Sequence, residues 1–175
     1  ITLDHMAIAV AEIGAISERR IHYFMKGAEG RFNPFLAKNP GLESGYMLAH
    51  VTASALVSEN KTLAHPASVD SIPTSGGQED LVSMAPWSGL KLLKIQDNVF
   101  TILAIELLVA GAAFKLNSGG LKPAHGTGIF LKEIKDVVLY NDGDRELNTE
   151  INKLKDIIID RKIFKKLKDK NYLEC

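Results

Sequence analysis

Three consecutive polar side chains, Gln78, Glu79 and Asp80, are the first candidates for chemistry in this sequence. They follow a flexible Gly-Gly pair and precede a strongly apolar segment, so they lie where a loop leads into a buried helix. Polar groups in such a place need partners, and a bound substrate is one candidate. From the residues alone we favour stabilisation of the helix dipole for Glu79, because acidic side chains are common in a first helical turn.

These side chains end a long polar loop that spans residues 58–84. Pro66, Pro73, Gly76 and Gly77 exclude a continuous helix through it. Helix connections in compact domains are usually about 2–8 residues long. A loop of this length and polarity therefore favours a site or an interface, with a solvated connector as the alternative.

Glu106 is a carboxylate inside the nearly continuous apolar run of residues 98–113. A buried carboxylate must be paired or protonated, and buried ion pairs often imitate catalytic sites. We therefore favour a partner on a neighbouring helix over catalysis. The run is shorter than the ~20 residues of a membrane span, so it predicts a buried core helix and no membrane partner.

Charge and cysteine content exclude several classes of protein. Lys and Arg number 21, Asp and Glu also number 21, and this balance leaves no basic footprint for nucleic acid. The five histidines are not spaced with carboxylates as metal ligands, so no metal site is predicted. The only cysteine, Cys175, excludes an internal disulfide and fits a cytoplasmic protein.

The elements that must position these side chains are helices, and no convincing strand is present. Gly45, Ala49 and Ala53 form a small-residue stripe, which predicts a helix packed closely on several sides. Ser44 is the predicted N-cap of that helix. The pattern predicts an all-α bundle of long helices with irregular loops, the first helices covering residues 2–24, 45–60 and 78–115.

Pro86 lies within the third predicted helix, and it either kinks that helix or marks its true beginning. Arg19 and Arg20 are interpreted as a solvated helix end. Later residues predict a helix stop at 117–120, a short helix at 126–139, a turn at 141–143, an amphipathic helix from Asp144 and a solvated basic tail at 162–170.

The loop and its flanks resemble the histidine-specific members of the aromatic amino-acid lyase and aminomutase superfamily. The resemblance covers roughly the first two thirds of the chain, and a run this long is much more specific than a short motif. It rests on residues 17–20, 39–45, 59–61, 64–75, 78–84 and 103–108.

The resemblance implies a function and two site residues. The implied reaction converts L-histidine to trans-urocanate and ammonia. Glu79 matches the active-site glutamate of these lyases, which implies a catalytic carboxylate that faces the substrate imidazole or helps proton transfer there. Gln78 is implied as substrate-binding. A glutamate at this position favours histidine over phenylalanine, and a phenylalanine or tyrosine lyase or aminomutase is the alternative.

The resemblance also implies a prosthetic group that this chain cannot form. In the family an internal Ala-Ser-Gly tripeptide cyclises to 4-methylideneimidazole-5-one. That tripeptide is absent, and Ala67-Ser68-Val69 and Thr74-Ser75-Gly76 are only near misses. The chain begins at Ile1 within a helical pattern, so we expect it to be the C-terminal part of a longer lyase subunit and inactive alone.

The family is homotetrameric, and we expect residues 1–116 to supply part of its helical core. Residues 117–175 are interpreted as a weakly matched C-terminal helical segment. Since residues 98–113 are too apolar to remain exposed, the chain should self-associate. The non-enzymatic alternative is a helical oligomerisation module derived from a lyase.

Overall fold

A computed structural model of the chain describes residues 1–116, 122–139, 143–170 and 172. Within these ranges the regular elements are all helices, and the only β-type pairings are the isolated bridges Pro40–Glu43 and Thr74–Glu79. The predicted all-α class is confirmed. The helices are α1 (Thr2–Met25), α2 (Met47–Leu63), α3 (Ala85–Leu116), α4 (His125–Ile134), α5 (Asn148–Ile159) and α6 (Lys162–Asp169).

Helix α3 is the centre of the bundle. It packs most extensively against α1 and also contacts α2 and α5. Ile102, Ile105 and Leu108 on α3 are fully buried in the main hydrophobic cluster. The prediction that residues 98–113 belong to a core helix is therefore confirmed, and most of this stretch is already covered within the chain.

Close helix contacts depend on small residues. Ala49 and Ala53 of α2 are buried, which confirms two members of the predicted stripe, whereas Gly45 lies before the helix. In α1, a methyl group added at Gly14 would lie 3.1 Å from Val99 Cγ2 and 3.2 Å from Ile102 Cδ1 of α3. Larger side chains at these positions would push the helix axes apart.

The buried face of α1 is not its most apolar face. The large apolar side chains of Leu3, Met6 and Ile13 remain exposed. The buried face combines small residues and polar ones, among them Asp4 and Glu18, with Ile21 and Met25 near the end of the helix. Burial of charged groups requires partners from other elements, and these partners form the polar clusters described below.

Helices α2 and α3 begin later than residues 45 and 78. Helix α3 begins at Ala85, with Pro86 in its first turn, so residues 78–84 precede the helix and the second interpretation of Pro86 is correct. Helix α2 begins after Tyr46, and Ser44 does not cap it. The backbone N–H groups of Ser44 and Gly45 donate instead to the Asp144 carboxylate, at 2.8 to 3.0 Å.

The last part of the chain contains one more helix than the sequence predicts. Helix α4 ends at Ile134 instead of continuing to 139, and α5 begins at Asn148. Helix α6 forms in the predicted basic tail, where Lys165, Lys166 and Lys168 are exposed as predicted and Ile163 is buried. The predicted stop at 117–120, most of the turn at 141–143 and Cys175 lie outside the described residues.

By length and composition alone, helix α3 could cross a membrane. Half of its most apolar 18-residue stretch is buried within the chain. Core helices of globular bundles pass the same test. Its contacts with α1, α2 and α5 agree with a core helix.

Candidate functional site

The polar loop is shorter than the predicted span of 58–84, because residues 58–63 belong to α2, and it covers residues 64–84. Two short 3-10 turns, Ala67–Val69 and Ser75–Gly77, interrupt it. Ala67 is buried, whereas residues 68–81 are exposed along their whole length. The loop is therefore fixed at its base and projects from the bundle.

The tip of the loop is a tight turn that carries both predicted site residues. The backbone N–H of Thr74 donates to the Glu79 carbonyl at 2.9 Å, and the Thr74 hydroxyl donates to Glu79 Oε2 at 2.9 Å. Gly76 and Gly77 have φ angles of 67° and 89°, which glycine adopts without strain. Gln78 ends this turn, and its side chain and that of Glu79 are exposed in this chain.

Stabilisation of the α3 dipole by Glu79 is excluded. The helix begins at Ala85, and dipole effects fall off within the first turn. Glu79 instead lies six residues before the helix and is held by Thr74. Its catalytic role, and the substrate-binding role of Gln78, stay predictions.

The base of the loop is organised by Asp4 of α1, which is 1% exposed. Its carboxylate accepts hydrogen bonds from the backbone N–H groups of Ala67 at 3.2 Å and Ser68 at 2.9 Å. The Ser88 hydroxyl of α3 donates to Oδ2 at 2.9 Å. Burial alone would raise the pKa of Asp4, but these hydrogen bonds outweigh it and hold the pKa well below the ordinary value.

Lys91 of α3 completes this cluster. It is 5% exposed, and its Nζ lies 3.7 Å from Asp4 Oδ1 and donates to the His65 carbonyl. Sequence reasoning missed both Asp4 and Lys91. The signal that could have revealed Asp4 is its spacing, since it lies three and seven residues before the small residues Ala7 and Ala11 on the buried face.

A second buried carboxylate, Glu18, joins α1 to α2. It contacts His50 Nε2 at 2.8 Å, the Ser54 hydroxyl at 3.0 Å and the Arg19 guanidinium at 2.5 to 2.6 Å. Ser54 and Glu18 both approach the same His50 nitrogen, so the group lacks the relay that activates a nucleophilic serine. We interpret it as structural. The Arg19 side chain is 65% exposed, so it is solvated as predicted, although it also pairs with Glu18.

Glu106 also has partners on α1, as predicted. Ser17 Oγ donates to its Oε2 at 2.5 Å, and Arg20 binds both carboxylate oxygens. Arg20 is therefore not a free helix end. The pKa of Arg20 is raised because the hydrogen bond to Glu106 favours the charged guanidinium.

Glu106 borders an apolar groove of about 270 Å³ between α3, α4, α5 and α6. The other lining side chains are aliphatic or aromatic. A zwitterionic amino acid needs charged partners when it is buried, and the Glu106 carboxylate is already paired. The groove is thus a poor site for an amino-acid substrate.

No group of three or more His, Cys, Asp or Glu side chains could hold a metal ion in the described part of the chain. This chain also cannot form the prosthetic ring of the family, because the precursor tripeptide does not occur in its sequence.

Comparison with known proteins agrees with this architecture. The aromatic amino acid lyase family model matches residues 1–136, and the chain belongs to this family. It is 46% identical to a histidine ammonia-lyase of Shewanella oneidensis over 155 residues, which is 89% of this chain and 30% of the relative. Identity to a histidine ammonia-lyase of Burkholderia multivorans is also 46%, over 90% of this chain and 31% of the relative.

Solved structures show the same helical fold. The crystal structure of histidine ammonia-lyase from Trypanosoma cruzi superposes with a TM-score of 0.90 at 42% identity, covering 98% of this chain and 33% of that chain. Tyrosine aminomutase from Streptomyces globisporus superposes with a TM-score of 0.88 at 28% identity, with the same coverage. The chain spans about a third of the length of the proteins it matches.

Proposed function

We propose that this chain is part of a histidine ammonia-lyase, which converts L-histidine to trans-urocanate and ammonia. The observation that carries the proposal is the 46% identity to histidine ammonia-lyases over about nine tenths of the chain. Identity to tyrosine aminomutase is lower, at 28%, although the fold is the same. This difference favours histidine over other aromatic amino acids.

In this proposal Glu79 is the catalytic carboxylate and Gln78 contacts the substrate. The turn from Thr74 to Glu79 supports these roles, because it holds both side chains at the tip of one loop. Their exposure leaves them available to a site completed by polypeptide outside this chain. A carboxylate there could orient the imidazole or move a proton at one of its nitrogens.

We further propose that the protein is homotetrameric and cytoplasmic and that the chain is inactive alone. The exposed aliphatic side chains on α1 and α3, such as Ile13, Leu90 and Leu93, support burial against other subunits or other parts of the protein. The missing Ala-Ser-Gly tripeptide supports inactivity, because the electrophile of the family, 4-methylideneimidazole-5-one, forms from it. No metal is proposed.

The test is an assay of the full-length protein with L-histidine, L-phenylalanine and L-tyrosine, followed by the ultraviolet absorbance of the unsaturated acids. We expect urocanate from histidine and no turnover by the isolated chain. Glu79→Gln should lower kcat/KM by about 10²- to 10⁴-fold, the usual contribution of acid–base groups. The matched control is Glu29→Gln, which changes another exposed loop carboxylate.

Each result separates the alternatives. Wild-type turnover by Glu79→Gln would remove the role of that residue. Turnover of phenylalanine or tyrosine without histidine would support a sister activity of the superfamily. An inactive full-length protein that still assembles into oligomers would support the helical oligomerisation module.

A further inference from the structure

We propose that Asp4 is the positioning residue of the active-site loop: it clamps both ends of the loop and thereby fixes where Gln78 and Glu79 project. This inference rests on the proposed function for the importance of those two residues. The clamp itself rests on geometry alone.

The two ends of the loop meet at one carboxylate. Ala67 and Ser68, on the incoming leg, donate backbone N–H groups to Asp4, and Ser88, where α3 has just begun, donates its hydroxyl to the same group. The chain between Ser68 and Ser88 therefore begins and ends at Asp4. Joining both ends to a rigid helix removes conformational freedom that a loop of this length would otherwise keep.

Two further sets of hydrogen bonds join the two legs of the loop between its base and its tip. The Ser71 hydroxyl accepts the Val82 N–H at 3.1 Å, and Thr74 pairs with Glu79 through backbone and side chain. The legs are thus joined at the base, in the middle and at the turn. Residues 68–81 are exposed, so these cross-links and the base replace the packing that would hold a buried segment.

Lys91 connects Asp4 to the beginning of the loop. It neutralises the buried Asp4 charge and holds the His65 carbonyl just before Ala67. A buried carboxylate without such partners would be strongly unfavourable. Helices α1 and α3 therefore share a polar cluster whose contacts converge on the base of the loop.

The test measures amide hydrogen exchange of residues 65–88 in the full-length protein, together with steady-state kinetics on L-histidine. In Asp4→Asn, one of the two acceptor oxygens of the carboxylate is replaced by an NH₂ group. This donor then faces the backbone N–H of Ala67 or of Ser68, and that hydrogen bond is lost. We expect exchange in residues 68–82 to rise at least tenfold and kcat/KM to fall at least tenfold. The matched control is Glu18→Gln, which alters the other buried carboxylate of α1 but contacts no loop residue.

If Asp4 served only general stability, both variants would change the exchange of the loop equally. Equal exchange rates of residues 68–82 in Asp4→Asn and Glu18→Gln would therefore overturn the proposal. Should Asp4→Asn fail to fold, Ser88→Ala removes only the contact on the outgoing leg. It should raise exchange around Val82 to Ser88, and exchange at the wild-type rate would overturn the proposal. Hydrogen exchange can be measured whether or not the protein turns over histidine. Inactivity of the wild-type protein on histidine would refute the proposed function, and the exchange rates would still test the role of Asp4.

Discussion

Ser17 and Glu106 form a direct link between α1 and α3, with 2.5 Å between Ser17 Oγ and Glu106 Oε2. Ser17 is fully buried, and Glu106 also holds the half-exposed Arg20. The carboxylate in the most apolar helix is thus explained by partners on the neighbouring helix. It has a structural role that can be separated from catalysis.

Replacement of Glu106 by Ala should destabilise the chain. It leaves the buried Ser17 hydroxyl unsatisfied, which costs about 1–3 kcal/mol, whereas the exposed Arg20 adds little because solvent screens it. The free energy of unfolding in urea should fall by about that amount. A double-mutant cycle with Ser17→Ala isolates the Ser17–Glu106 coupling. Unchanged stability with lost turnover in the full-length protein would indicate a catalytic Glu106 instead.

Acid should remove the stabilisation that Glu18 provides. Burial alone would raise its pKa, but hydrogen bonds from Arg19, His50 and Ser54 outweigh burial and lower the pKa below the ordinary value of 4.5. A lowered pKa means that this stabilisation is complete above about pH 4.5 and is lost as the pH falls through the folded-state value.

The measurement is the free energy of unfolding of the wild type and of Glu18→Gln between pH 7 and pH 3. The wild type should be more stable above pH 4.5, and the two curves should converge as the pH falls below it. Parallel curves down to pH 3 would show that the Glu18 carboxylate is not specifically stabilised in the fold.

The isolated chain should self-associate at micromolar concentration. Leu90 and Leu93 of α3 are 59% and 64% exposed, and large exposed apolar groups favour association. Sedimentation should detect oligomers, and Leu90→Lys combined with Leu93→Lys should reduce them. The control is Leu42→Lys, which changes a 90% exposed leucine in a loop. A monomeric wild-type chain would contradict this prediction.

The source of this association differs from the one that the sequence indicates. Hydropathy singles out residues 98–113, but the structure buries most of that stretch inside the bundle. Many of the exposed apolar side chains lie instead on α1 and on the first half of α3, and Leu48 and Val51 of α2 are exposed as well. Composition identified an apolar helix correctly and could not identify which of its faces is covered within the same chain.

Local pattern predicted helix α1 to within one residue at its C-terminal end, because apolar periodicity and the following glycines are local signals. It did not predict the buried face, because Asp4 is satisfied by groups 63 to 84 positions away in the chain. The N-cap assigned to Ser44 failed for a similar reason. Its backbone N–H binds Asp144, 100 positions away.

The candidate site was predictable only in part. The loop was evident from its length and from its prolines and glycines, and the roles of Gln78 and Glu79 came from the resemblance. The Thr74–Glu79 turn and the base at Asp4 depend on contacts that no spacing rule gives. The position of α3 was ambiguous for a physical reason, since Pro86 is compatible with a kink or with a first helical turn.

The contact of Asp144 with the amides of Ser44 and Gly45 has a consequence for biosynthesis. Ribosomes add about 5–20 residues per second, so the 100 positions that separate Ser44 from Asp144 take about 5–20 s to translate. During that time the carboxylate that accepts from the two amides before α2 has not yet been synthesised. The nascent chain therefore completes this corner after the central helix α3 has been synthesised, and premature release before Asp144 would leave the corner open.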